Sequence, residues 1–398
     1  MKFAITSMAA LLAGTAPLLA GGIERAPQSL NALFEAGNYV ELSFGGVDPE
    51  VKGTDTLGFN TGDVAQGYGF VGLSYKHQFN ESFSGAIIIE QPFGADILYP
   101  SQPGVPDPNI DGSVLLGGTA ARVDSTTFTA LGRYKMPNNF SVHGGIRGSR
   151  ADGSVTLNGC AYSDPRVPTP CAGGVQGYNV DLDSDTAVGW VAGVAWERPE
   201  IAARVSLTYN SDIEHEFRTR ETLVIDPDGP GPIPVVPAIA STSTTRVSTP
   251  ESWNLEFQTG IAQDTLVFGS VRWVEWSSFR VDPVAFVGAT GGGLVDLEDT
   301  TTYTLGIGRK FTETWSGSAS FTFEKKGDDL VSPLAPTNGR RGVTLAAIYN
   351  QGPLRVTTGI NYTKVGDASP ETGTPDEARA RMEDNDAIGV GIRIGYSF

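Results

Sequence analysis

The chain has 398 residues and a formal net charge of −17, from 28 Lys and Arg against 45 Asp and Glu. That balance excludes a nucleic-acid binder, whose contact surface must be basic. Gly supplies 50 residues, Met 4 and His 3, and mean hydropathy is close to neutral, as expected where lipid-facing and lumen-facing side chains alternate.

Residues 1–20 read as an export signal. Lys2 supplies the charge, Phe3 to Leu19 is mostly apolar and small, and cleavage is expected after Ala20, with Ala16 as a second position. As a membrane anchor the stretch is short, and Pro17 ends it. No other long apolar run follows, so an exported chain of this kind crosses a membrane only as strands. Between 21 and 38, Ser29 to Ala36 is helix-compatible, with Ser29 in place to cap it.

Strand signals then begin and continue to the last residue. Fourteen are predicted, at about 39–48, 67–79, 83–93, 119–135, 140–157, 177–198, 200–219, 246–262, 264–282, 297–311, 315–326, 339–350, 353–366 and 384–398. Several have clean faces: Phe140, Val142 and Ile146 alternate with Ser141, His143, Arg147 and Ser149, and Leu354, Val356, Ile360 and Tyr362 with Arg355, Thr357, Asn361 and Thr363. The connections alternate between tight polar turns (80–82, 137–139, 263–264, 351–352) and long Pro-, Gly- and Asp-rich loops (94–118, 158–176, 220–245, 283–296, 327–338, 367–383). In the final strand every second residue from Ile388 to Phe398 is apolar, against a face of Gly389, Gly391, Arg393, Gly395 and Ser397. An exposed edge strand of that kind invites aggregation, whereas a barrel closes its last strand onto its first. The predicted fold is all-β: a 14-stranded antiparallel transmembrane barrel over 39–398, in the outer membrane of a Gram-negative bacterium. The final aromatic resembles the signal read by the outer-membrane assembly machinery.

Cys160 and Cys171 share one long loop, and export permits a structural disulfide between them. Asp181, Asp183 and Asp185 hint at a calcium loop, but Thr186 stands where Gly is required and Ala192 where the bidentate Glu belongs. No metal or cofactor is expected. His77, His143 and His215 lie on different strands, and no catalytic arrangement emerges.

Five stretches in order carry a family resemblance. Ala32-Leu33-Phe34 precedes the first strand. Glu90-Gln91-Pro92-Phe93-Gly94 ends the third. Thr249-Pro250-Glu251-Ser252-Trp253 leads into the eighth, Val271 to Phe279 reads as the ninth-strand signature, and Thr312-Glu313-Thr314-Trp315 opens the eleventh. In order and spacing the chain resembles the FadL/TodX-like outer-membrane transporters of long-chain fatty acids and hydrocarbons. It departs after Phe34, where Glu35-Ala36-Gly37-Asn38 replaces the family's Asn-Pro-Ala. The resemblance implies that 21–38 is a short hatch. It also implies passive uptake of a hydrophobic small molecule or fatty acid, caught by extracellular loops and released sideways at a kink at Pro92, Phe93 and Gly94. Read without the family, those three residues equally end a strand before a loop.

Candidate ligand contacts are Phe34, Phe93 and the loop residues Ile97, Leu98, Tyr99, Leu115 and Leu116, which either form a landing groove or pack the loop. Parity aims Lys76, Arg147, Arg204, Arg355 and Arg393 into the lumen, where a carboxylate needs a cation; Arg272 and Lys310 are less well placed. The expected surroundings are membrane lipid and lipopolysaccharide, and the expected state a monomer. A water-filled general porin and a surface adhesin or structural barrel are the competing functions.

Overall fold

The computed structural model describes residues 23–164, 166, 171–225, 236–373 and 375–398. The expected export signal at 1–20 lies outside the described residues. The wall consists of β1 (Tyr39–Glu50), β2 (Tyr68–Gln78), β3 (Phe83–Glu90 and Gly94–Leu98), β4 (Ala120–Lys135), β5 (Phe140–Leu157), β6 (Tyr178–Arg198) and β7 (Ala203–Asn210 and Ile213–Ile225). It continues through β8 (Val236–Thr249 and Ser252–Ala262), β9 (Thr265–Val274), β10 (Thr300–Lys310), β11 (Trp315–Glu324), β12 (Arg340–Gln351), β13 (Leu354–Val365) and β14 (Asp386–Ser397). Neighbours are antiparallel, and β14 closes onto β1 from Tyr39 opposite Ser397 to Glu50 opposite Asp386. The fold is the closed 14-stranded barrel expected.

The alternation sorts as lipid and lumen require. Leu42, Phe44, Val71, Leu73, Phe128, Ile146, Trp190, Leu305, Phe321, Ile360 and Ile392 are exposed on the outer face, while Lys76, Thr129, Arg147, Ser206, Arg272 and Asn361 are buried within. Ring pairs mark both rims. Trp190, Tyr209 and Trp253 pack in sequence near the long loops; Phe79 with Phe83 and Trp315 with Tyr349 lie near the short turns.

Three expectations change. The stretch 264–282 pairs only as far as Val274; Trp276–Ser278 is a 3-10 turn, and a short helix, α1, spans Val284–Thr290 within the expected loop. The expected loop 220–245 is largely a long hairpin. β7 and β8 stay paired out to Ile225 and Val236, because their upper halves stand above the membrane with polar residues on the outer face (Glu214, Glu216, Arg218, Arg220) and show no apolar alternation. Residues Asn31–Phe34 form one 3-10 turn, and Ser29 does not cap it: its hydroxyl donates to Glu256 at 2.8 Å.

The loop disulfide between Cys160 and Cys171 is formed, with Cα atoms 4.4 Å apart. A closed loop of this size constrains the unfolded loop by about 3 kcal/mol. Cys160→Ser with Cys171→Ser is therefore expected to speed proteolysis within 158–176. Because the link touches no wall strand, the barrel's mobility on an unheated gel stays unchanged.

Among the described residues the pairing of β2 with β3 is incomplete. β1 and β2 pair continuously from Tyr39 opposite Lys76 to Val47 opposite Tyr68, but β2 and β3 pair only from Gln78 opposite Ser84 to Leu73 opposite Ile89. Higher up, the chain ahead of β2 rejoins β3, where Gln66 donates to Asp96 O and Leu98 to Val64 O, both at 2.9 Å. A window remains between Gly67–Gly72 and Glu90–Ala95. On its far side β3 bulges against β4: Glu90 faces Thr127 and Gly94 faces Asp124, so four steps along β3 match three along β4. Ser125 supports the bulge by accepting from Phe93 N at 3.0 Å and donating to Phe93 O at 2.6 Å. The extra residue exchanges the faces of β3. Ala86, Ile88 and Glu90 point inward below it; Phe93, Ala95 and Ile97 are buried above it.

Candidate transport site

The N-terminal segment crosses the lumen and is tied to the wall along its whole length. Glu24 pairs with Arg272, which also donates to Ser252 at 3.0 Å and to Asn254 at 2.6 Å. Asn254 donates to Pro27 O at 3.1 Å. Asn31 accepts from Arg204. Phe34 lies between the guanidinium groups of Arg133 and Arg204, 4.6 and 4.5 Å from its ring centre, with His143 at its edge. Glu35 pairs with Arg355 at 2.7 Å, and Lys76 donates to the carbonyls of Glu35 at 2.6 Å and Gly37 at 3.0 Å. Leu30, Leu33 and Phe34 pack on Ala86, Ile88, Leu131, Val191 and Ala195 of the inner wall. The carboxylates and carbonyls of this segment, the expected hatch, answer the lumen cations.

Parity thus aims these side chains into the barrel, where the hatch engages Lys76, Arg204, Arg272 and Arg355. Arg204 and Arg355 hold it directly. Arg147, on β5, donates to Thr129 at 3.2 Å and lies 4.0 Å from Glu90. Arg393 stands 3.1 Å from Glu41. Lys310 is drawn to the short turn by Glu313 at 2.7 Å.

Two cavities flank the window. Above the hatch, a chamber of about 70 Å³ is lined largely by apolar side chains, among them Ile23, Phe93, Phe217, Val247, Phe279 and Leu297. Beside the hatch, a cavity of about 140 Å³ runs from Glu41, Ser43 and Arg393 in the lumen to Phe44, Val71, Ile89 and Ile392 in the apolar outer band. The hatch residue Glu24 bridges to Phe93 between them. Its neighbours complete the strand pairing that the break leaves open: Arg25 and Ala26 donate to Pro92 O at 2.7 and 3.2 Å, and Gly94 donates to Ile23 O at 2.8 Å. A third, polar space of about 480 Å³, lined by Phe34, Lys76, Arg133 and Arg355, opens below the hatch beside the short turns.

Of the expected apolar contacts, only Phe93 lines the upper chamber, where it meets Trp276 edge-on. Phe34 anchors the hatch from below. Ile97, Tyr99, Leu115 and Leu116 are buried in the packed core beneath the long loops. Tyr99 donates to Pro333 O at 3.0 Å, and burial pushes its phenol well above the ordinary range, so it remains a donor. Leu98 points outward and is exposed, since the bulge gives the inner face to Ile97. Ile97, Tyr99, Leu115 and Leu116 thus pack the loops, one of the two arrangements expected, and Leu98 faces outward. The sequence reading missed Ile23, Glu24, Arg25 and the roof residues Phe279, Val281, Val295 and Leu297. Of the last four, Val295 was an apolar residue in an expected loop, whereas Phe279, Val281 and Leu297 fell within expected strands.

The family of outer-membrane transport proteins described as OMPP1/FadL/TodX matches residues 25–398. No curated protein matches the chain. Among solved structures, a Pseudomonas aeruginosa FadL homologue superposes with a TM-score of 0.71 at 17% identity, covering 97% of this chain and 100% of that one. The Pseudomonas putida toluene transporter TodX gives 0.65 at 15%, again covering 97% and 100%. The monoaromatic hydrocarbon channel CymD gives 0.58 at 12%, covering 94% of each. At these identities the likeness concerns the fold, whereas the family match spans nearly the whole chain. This chain belongs to the OMPP1/FadL/TodX family, channels for hydrophobic compounds in the outer membrane of Gram-negative bacteria.

Proposed function

We propose that the barrel takes up neutral hydrophobic molecules by passive diffusion and releases them sideways into lipid through the window between β2 and β3. The observation that carries this reading is the pair of cavities on either side of the Glu24–Phe93 bridge, one apolar and beneath the loops, the other reaching the outer apolar band. A solute leaving there passes into hydrocarbon without crossing water, and each buried methylene favours that step by about 0.8 kcal/mol.

Charge favours a neutral cargo over a fatty acid. Glu24, Glu35 and Glu41 stand beside Arg272, Arg355 and Arg393, so an incoming carboxylate would have to displace a carboxylate already in place. A cavity of about 150 Å³ holds benzene; the window cavity, lined by polar and apolar groups alike, is about 140 Å³, and the apolar chamber, about 70 Å³, has to widen to admit such a ring. Phe398, exposed beside β1, suits the role of assembly signal, and the continuous outer band suits a monomer surrounded by lipid and lipopolysaccharide.

Liposomes holding the full-length protein are expected to take up toluene faster than empty ones, with little ion conductance in planar bilayers. Saturable uptake of palmitate with no acceleration of toluene would overturn the neutral cargo. Steady ohmic conductance would indicate a general porin instead.

A further inference from the structure

The window is filled by a side chain that neither the strand pattern nor the chamber explains. Arg25 leaves the hatch at the break in β3. Its guanidinium lies flat against Gly94, where a Cβ would come within 2.5 Å of the Arg25 Cζ and Nη1 atoms. It stands 4.4 Å over the Tyr68 ring on the inner face of β2. Its other end is 3.6 Å from Asp124, which sits on the outer face of β4 with Arg122 at 2.9 Å. Arg25 thus spans the opening from its inner to its outer side, and it lines the window cavity. Gly94 does not have a positive φ, so turn geometry does not call for glycine there; the guanidinium does.

The hold on this side chain is slight. Its carboxylate partner is distant, half-exposed and shared with Arg122, and exposed ion pairs contribute little. Its Nε is buried without a hydrogen-bond partner, which raises the cost of the closed position. The backbone beneath it belongs to the hatch, and among the described residues Ile23–Ala26 makes its main-chain hydrogen bonds to β3.

Building on the sideways-release reading, we propose that Arg25 is the bolt of the window. Closed, it occupies the place of the missing Gly94 side chain. It withdraws when Ile23–Ala26 shifts, and its release is limited by the pair with Asp124. Passage is then set by a charge outside the ligand chamber.

The test measures toluene uptake into liposomes by the full-length protein. Arg25→Ala and Asp124→Asn are each expected to raise the rate several-fold. Gly94→Ala should do the same by displacing the guanidinium, and adding it to Arg25→Ala should change nothing further, because both remove one contact. Asp124 is exposed, so its variant holds the test if Arg25→Ala fails to fold. Unchanged rates in Asp124→Asn and Gly94→Ala, in a protein whose uptake stops when β2 and β3 are joined through V71C/Q91C, would overturn the bolt and leave the side exit standing. Uptake that persists through that oxidised link would overturn the exit, and the bolt with it.

Discussion

Val71→Cys with Gln91→Cys, once oxidised, stops toluene uptake at the level of empty liposomes, and reduction restores it. The two positions extend the β2–β3 register: Leu73 faces Ile89, and two residues further on Val71 lies across from Gln91. No ladder bond joins them. The Val71 N–H donates instead to the Gln91 side-chain oxygen at 3.2 Å, so the amide of Gln91 caps a backbone group that a regular wall would pair. A disulfide there closes the lower half of the window and touches neither the chamber nor the hatch cations. Reversal by reductant makes the folded protein its own control. Uptake that persists in the oxidised protein would show that the cargo leaves by another route.

Arg272→Ala is expected to release the hatch and turn a tight channel into a conducting pore. Arg272 and Glu24 are both buried, and the arginine also holds Ser252, Asn254 and Gln28. Removing one partner of such a pair costs about 3–5 kcal/mol, because a buried charge is left unanswered. At about 1.4 kcal/mol per tenfold, the undocked hatch becomes at least a hundredfold more populated. The loss falls on the hatch, since the wall pairing of β9 with β8 and β10 is made through backbone. Planar-bilayer conductance should therefore appear, and trypsin should cut at Arg25, while the barrel keeps its unheated gel mobility. Glu24→Gln with Arg272→Met, which removes both charges, should recover much of the closed state. Equal conductance in the single and double variants would mean that the pair does not hold the hatch.

The wall was legible because lipid enforces alternation. Leu42, Ile146, Ile360 and Ile392 had to face outward in any register that closed the barrel. Where the strands leave the membrane the rule lapses, so β7 from Arg220 and β8 up to Thr245 read as loop, and Phe279 and Val281, apolar without pairing, read as strand. Parity aimed Arg147, Arg204, Arg355 and Arg393 into the lumen, but parity does not name a partner. Each is answered by a residue far away in the chain: Arg355 by Glu35, Arg204 by Asn31, Arg393 by Glu41 and Arg147 by Glu90. The break at Pro92 was visible because a proline cannot donate to the ladder. The reason for Gly94 was not, because it lies with Arg25, far earlier in the chain and in contact only after the barrel closes around the hatch.

The extra residue in β3 has an evolutionary consequence. It interrupts the ladder with β2 while Ile97 stays opposite the inward Ala121 and Tyr99 holds up the extracellular roof. Deleting one residue between Gln91 and Phe93 would match three steps to three, with Gly94 still opposite Asp124 and Ile97 and Tyr99 still inward. Aperture and roof are therefore separable. A lineage can shut the aperture by a single deletion without dismantling the roof, or narrow it by substitution at positions such as 25, 71, 91 and 94.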